Sequence, residues 1–110
     1  MGMKLHNVRF LWASDEINKN SNEYWSRVMD ISAHRTINAM KKCVTITGKK
    51  ESDSDLKMSH LLYACMQCAD VFFLNVDICQ MGVDQTKVNM AAREYCDSVK
   101  MNDKPSYIIV

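Results

Sequence analysis

Chain-breaking residues are scarce: three glycines and one proline in 110 residues. That scarcity excludes a fold of many short strands joined by tight turns and favours a few long elements. Charge of one sign is also missing. Fourteen Lys and Arg stand against thirteen Asp and Glu, a net charge of +1. Such a chain has no strong overall field to draw nucleic acid, a membrane surface or an acidic substrate, and no nucleic-acid partner is expected. No run of 18 apolar residues is present, so no membrane partner is expected either. The opening MGMKLHNVRFLWASDE lacks an apolar core and a cleavage site, which excludes a secretory signal. His6 stands where a myristoylation motif needs Ser or Thr. The cysteines, at 43, 65, 68, 79 and 96, are odd in number and lack framework spacing, as suits thiols in a reducing compartment. A cytoplasmic protein is expected, folded as a single helical domain over residues 1–110.

What is present is 47% apolar and 25% charged, an ordinary globular balance. Residues 4–13 fit either a short helix or an irregular arm. Asn20 with Glu23 has the spacing of a capping box. Trp25, Val28, Met29, Ile37 and Met40 then recur at helical steps, predicting a helix over 22–42. Cys43 to Thr47 is β-branched and predicted to be extended, with Gly48 stopping it. Residues 48–55 (GKKESDSD) read as a mobile solvated loop, whose Lys49 and Lys50 could meet a phosphate. Asp53 or Ser54 can cap a helix running from Leu56 to Met81 without Gly or Pro, with Gly82 just past its end. Those 26 residues would span about 39 Å. Asp84 can cap a last helix over 85–99, burying Val88, Ala91, Ala92 and Tyr95. The tail breaks at Pro105 and ends in an apolar, strand-like piece that should lie back on the helices or on a partner chain.

The polar residues of the long helix form one line: His60, Tyr63, Gln67, Asp70 and Asp77. They can be a solvent edge, or a polar seam where carboxylates meet a cation or phosphate. Other motifs carry less. Cys65-x-x-Cys68 sits in mid-helix with no second pair, the pattern of core thiols rather than of a zinc or redox site. His34-Arg35 fits a solvated edge or a phosphate contact. No nucleophile elbow or glycine-rich phosphate loop is present.

Residues 69–93, ADVFFLNVDICQMGVDQTKVNMAAR, resemble the helix–turn–helix of the MazG-like, all-α nucleoside triphosphate pyrophosphohydrolases. The likeness rests on Ala69-Asp70-Val71, the apolar run to Cys79, Gly82-Val83, and the spacing to Val88 and Arg93. It implies an all-α bundle of about four helices around a long central one, assembled as a homodimer or larger oligomer. It also implies a Mg²⁺ site, to which Asp30, Gln67, Asp70 and Asp77 would correspond, with Lys49, Lys50 and Arg93 as phosphate contacts. Gln67 stands where the family has Glu, and Asp30 is the lone acidic residue in the region of the first motif. A site short of carboxylates holds Mg²⁺ weakly.

Three function classes are therefore open. One is a MazG-like domain without catalytic residues, binding a protein partner or a nucleotide, with no cofactor; its small size suits a viral or mobile-element source. Another is a divergent Mg²⁺-dependent pyrophosphohydrolase. The last is an unrelated helical interaction module. Because the long helix is apolar nearly all round, self-association is expected, with Phe72 or Phe73 near the contact.

Overall fold

A computed structural model describes residues 2–101 and the backbone of 106–109. Five helices and two strands follow in the order α1 (Ala13–Lys19), α2 (Ser21–His34), α3 (Ile37–Lys41), α4 (Met58–Phe73), β1 (Ile78–Met81), α5 (Thr86–Ser98) and β2 (Ser106–Ile109). Two 3-10 turns, Val44–Thr47 and Val83–Gln85, precede α4 and α5.

The core lies where α2, α4 and α5 meet. Tyr24, Val28 and Ile31 recur at steps of four and three and give α2 one buried stripe. α5 buries Val88, Ala91, Ala92 and Tyr95, the four residues its periodicity predicts. Between them α4 presents Ala64, Cys65, Cys68 and Ala69. These small side chains let the flanking helices approach closely, and the rings of Tyr24 and Tyr95 fill the space on either side. The expected face of α2 is off by one position: Trp25 and Met29 are exposed, while Tyr24 points inward.

Several expected boundaries move, each for a local reason. The predicted helix 22–42 is two helices. Arg35 and Thr36 are extended between them, and Thr36 Oγ1 accepts from the Ala39 N–H at 3.1 Å as the cap of α3. The Asn20–Glu23 capping box does not form; Asn20 is the kink between α1 and α2, without a side-chain cap. Cys43 to Thr47 is not extended: Val44–Thr47 forms a 3-10 turn that buries Val44, with Cys43 buried just before it. Gly48 does end the segment, in the left-handed region at φ 75°. Asp53 accepts from the Lys50 N–H within the 48–55 loop at 2.8 Å rather than capping α4. That role falls to His60, whose Nδ1 accepts from the Lys57 N–H at 2.9 Å.

The largest correction concerns the helix expected over 56–81. It stops at Phe73. Asn75 adopts φ 51°, its N–H donates to the Phe72 carbonyl at 3.1 Å, and the Val76 N–H donates to the Val71 carbonyl at 3.3 Å. That pair of bonds is a Schellman closure built on Asn instead of Gly. Lys100 closes α5 in the same way at φ 56°, with bonds from Lys100 to Asp97 and from Met101 to Cys96.

Beyond the Asn75 turn the chain becomes β1, which pairs in parallel with β2 in the register Ile78↔Ser106 to Met81↔Ile109. Parallel strands need a long crossover, and α5 supplies it. The molecule is therefore not an all-α bundle: a β–α–β unit is joined to a helical layer. The strand-like tail is a strand, but it pairs with β1 rather than lying on the helices; Pro105 and Val110 lie outside the described residues.

Candidate functional site

The polar line on α4 does form, and it is a seam rather than a solvent edge along part of its length. Tyr24 from α2 is 1% exposed; its hydroxyl donates to the Met66 carbonyl at 3.5 Å and interacts with the Asp70 carboxylate beside it. Burial raises the Asp70 pKa above the ordinary carboxylate value, and the Tyr24 hydrogen bond offsets part of that rise. The Tyr24 phenol is itself pushed up, first by burial and then by the Asp70 charge. Cys79 on β1 is raised by burial and also feels Asp70, so the β–α–β unit faces the same spot.

One turn earlier on α4, Gln67 Nε2 donates to Gln85 Oε1 at 2.8 Å and approaches Met81 Sδ at 3.4 Å. Gln85 is the residue before α5, so the crossover places it against α4. Tyr63, a further turn back, is half-exposed at 51%. Next to Asp70 a cleft of about 110 Å³ is lined by Leu11, Ala13, Glu16, Ile17, Asp70, Phe73 and Leu74. A closed apolar cavity of about 150 Å³ accepts a benzene ring, so this open cleft suits one aromatic ring. The arrangement is an apolar slot bordered by the half-buried Asp70 carboxyl, which the buried Tyr24 phenol approaches, with the Gln67–Gln85 amide pair about 4.5 Å away along the helix axis.

The other expected site residues lie apart. Asp30 does not meet Asp70: it accepts from the Tyr95 hydroxyl, which Arg27 contacts at 3.3 Å, and it lies 3.5 Å from His34 Nδ1. Asp77 is exposed beyond the end of α4. Among the described residues no group of three or more His, Cys, Asp or Glu can hold a metal. Lys49 pairs with Asp55 at 2.7 Å, Lys50 sits in the same exposed loop, and Arg93 is exposed on α5. Arg35 pairs with Glu94 on α5. Phe72 packs on Tyr95 and under Arg27, and Phe73 packs edge-on against Tyr24 at 5.1 Å, so both rings have partners within the chain. Cys65 and Cys68 are buried thiols. Tyr24, Cys79 and Gln85 are absent from the expected site, since each reaches it from an element whose position only the tertiary fold defines.

The family model of the class I tRNA synthetases (W and Y) matches residues 1–110. The chain belongs to this family. It is 53% identical over 104 residues to tyrosine–tRNA ligase 2, cytoplasmic, of Arabidopsis thaliana, a match covering 94% of this chain and 14% of the plant protein. The tyrosine–tRNA ligase of Sulfurisphaera tokodaii is 37% identical over 89% of this chain and 26% of its own length. Among solved structures, the Leishmania major tyrosyl-tRNA synthetase in complex with tyrosinol superposes with a TM-score of 0.90 at 49% identity, covering 98% of this chain and 16% of that one. The Pyrococcus horikoshii enzyme complexed with L-tyrosine gives 0.76 at 31% identity, over 94% of this chain and 26% of that one. The chain thus spans between about a seventh and three-tenths of the curated relatives it matches.

Membership of the class I synthetase family overturns the MazG-like resemblance, which rested on an apolar helix, a Gly-Val turn and a second helix that β–α–β packing also produces. It overturns the non-catalytic, pyrophosphohydrolase and unrelated-module readings together, and the viral source with them: the relatives are enzymes of plants and archaea. The expectation of no nucleic-acid partner conflicts with the names of these relatives, which are ligases for tRNA. Among the described residues no helix is long and apolar enough to cross a membrane.

Proposed function

We propose that this chain supplies the amino-acid-recognition face of a tyrosine–tRNA ligase, in a protein that joins tyrosine to tRNA. The observation that carries the reading is the arrangement along α4. The Tyr24–Asp70 pair can bind a phenolic hydroxyl, the slot beside Asp70 suits one ring, and the Gln67–Gln85 pair can bind the charged ammonium and carboxylate of an amino acid. The relatives' names agree with it. The protein acts in the cytoplasm and self-associates. Support for self-association comes from the exposed Trp12, Trp25 and Met29 at α1 and α2, apolar surface that a monomer rarely leaves open.

The test is calorimetric titration of the full-length natural protein with L-tyrosine and with L-phenylalanine. Tyrosine is expected to bind and phenylalanine to bind far more weakly; equal affinity for the two, or no tyrosine binding, would sink the reading. Light scattering on the same sample checks association, which a monomer at high micromolar concentration would refute.

A further inference from the structure

Asn89 is the buried polar side chain that the proposed site does not account for. It lies in α5 and is 1% exposed, and neither its Nδ2 nor its Oδ1 has a hydrogen-bond partner among the described residues. A buried amide with both ends unpaired is rare and destabilising, so a native structure retains one where it answers a need other than packing. An apolar residue would serve the core better: the neighbouring buried positions of α5 are Val88, Ala91 and Ala92.

Its position supplies the need. Asn89 follows Gln85 by four residues, and residues so spaced share a helix face with their Cβ atoms about 5–6 Å apart. Gln85 Oε1 accepts from Gln67 Nε2 at 2.8 Å. An amide has a donor end and an acceptor end, and which faces which is set by its neighbours. With Gln85 Oε1 committed to Gln67, Gln85 Nε2 is the end left to donate elsewhere. Asn89 Oδ1 is an unpaired acceptor of the right kind on the same helix face, and since no direct bond joins it to Gln85, one bridging water would make the link.

We propose that Asn89 is a positioning residue for amino-acid recognition, holding the Gln85 amide in the orientation that accepts from Gln67. The relay Asn89–Gln85–Gln67 then has a fixed sense. Gln67 donates to Gln85 and Gln85 donates toward Asn89, which leaves Gln67 Oε1 as the acceptor for a substrate ammonium. Without Asn89 the Gln85 amide can turn over, its NH₂ meets the NH₂ of Gln67, and the acceptor is lost.

This inference rests on the tyrosine-recognition reading, and the experiment separates the two. Steady-state aminoacylation by the full-length natural protein is compared with its Asn89→Leu and Asn89→Ser variants, with melting temperatures measured in parallel. In Asn89→Leu the KM for tyrosine is expected to rise about tenfold, with kcat and the KM for tRNA within twofold and the melting temperature equal or higher. In Asn89→Ser, whose hydroxyl restores a donor and an acceptor, the tyrosine KM should return to within about threefold of the parent. A tyrosine KM unchanged in a folded Asn89→Leu protein overturns the inference and leaves the functional reading standing. So does a parallel change in kcat and both KM values, the mark of a purely structural role. If Asn89→Leu does not fold, Asn89→Ala decides: a folded Asn89→Ala protein whose tyrosine KM rises tenfold or more without change in the KM for tRNA supports the relay, and one with the tyrosine KM unchanged or with both KM values altered alike overturns it. A parent protein that does not charge tRNA with tyrosine overturns the functional reading, and the inference falls with it.

Discussion

The hydroxyl of Tyr24 meets the carboxylate of Asp70 across the seam between α2 and α4. One partner is almost fully buried and the other lies beside an open slot. That asymmetry gives the pair two measurable consequences, one for selectivity and one for stability.

For selectivity, a site that hydrogen-bonds a substrate hydroxyl rejects the analogue lacking it by about 10⁴–10⁵, tyrosyl-tRNA synthetases being the type case. Asp70→Ala in the full-length protein is therefore expected to cut the tyrosine-to-phenylalanine ratio of kcat/KM by at least about 100-fold, chiefly by losing tyrosine. Tyr24→Phe, which leaves the carboxylate in place, should cost less. A ratio unchanged by Asp70→Ala would place the hydroxyl elsewhere.

For stability, the sign follows from the raised pKa of Asp70 in the fold, set first by burial. The native state holds this proton more tightly than the unfolded chain, whose carboxyl titrates near 3.8. Native stability therefore falls as pH rises from about that value through the raised folded pKa, and the full penalty is present at neutral pH. Asp70→Asn should raise the melting temperature at pH 7 and raise it less at pH 3.5. Equal shifts at the two pH values would show that desolvation of the charge is not the cause.

The thiols should react in an order set by depth. Burial lifts Cys43 to about 11 and raises Cys65 and Cys68 as well, so little thiolate forms at neutral pH. Cys79 is only half-buried. A limiting dose of an alkylating reagent on the native protein should modify Cys79 first, with the others following only in denaturant. Peptide mapping that finds Cys65 or Cys68 labelled before Cys79 would contradict this order.

Two helix ends store backbone strain. A non-glycine residue in the left-handed region costs about 1–2 kcal/mol, partly offset in glycine by its larger entropy loss. Lys100→Gly is expected to gain roughly 0.5–1 kcal/mol. Asn75→Val, which puts a β-branched residue at φ 51°, should lose on the order of 1–2 kcal/mol. Urea unfolding measures both, and a loss in Lys100→Gly would refute the argument.

These same turns explain what the sequence pattern hides. Gly82 looks like the end of a helix, yet the turn is made at Asn75, and Asn reads as an ordinary polar residue until its φ is known. The ICQM stretch after it is too short and too apolar to be told from more helix by periodicity. α5, strongly amphipathic, is legible to within a residue at each end, although Asp84 lies in the preceding 3-10 turn and no side chain caps the helix; the stop at Gly48 is legible too. The polar line of α4 is legible as well, through Tyr63, Gln67 and Asp70, but its chemistry is not. Gln67 looks like a failed metal ligand until Gln85 is seen against it, and Asp70 looks like a cation ligand until Tyr24 closes over it. Both partners come from other elements. Tyr24 is masked further by Trp25 beside it, which claims the same helical stripe in a count of apolar steps.

The parallel pairing of β1 with β2 also sets an order in time. Ile78 can meet Ser106 only after the intervening chain has wound into α5 and turned back, whereas α5 itself forms from neighbours in sequence. Contacts that close long loops form late. Gln85 sits at the corner between β1 and α5, so its alignment with Gln67 waits on that closure. On refolding, the helical signal should return ahead of the ability to bind the amino acid.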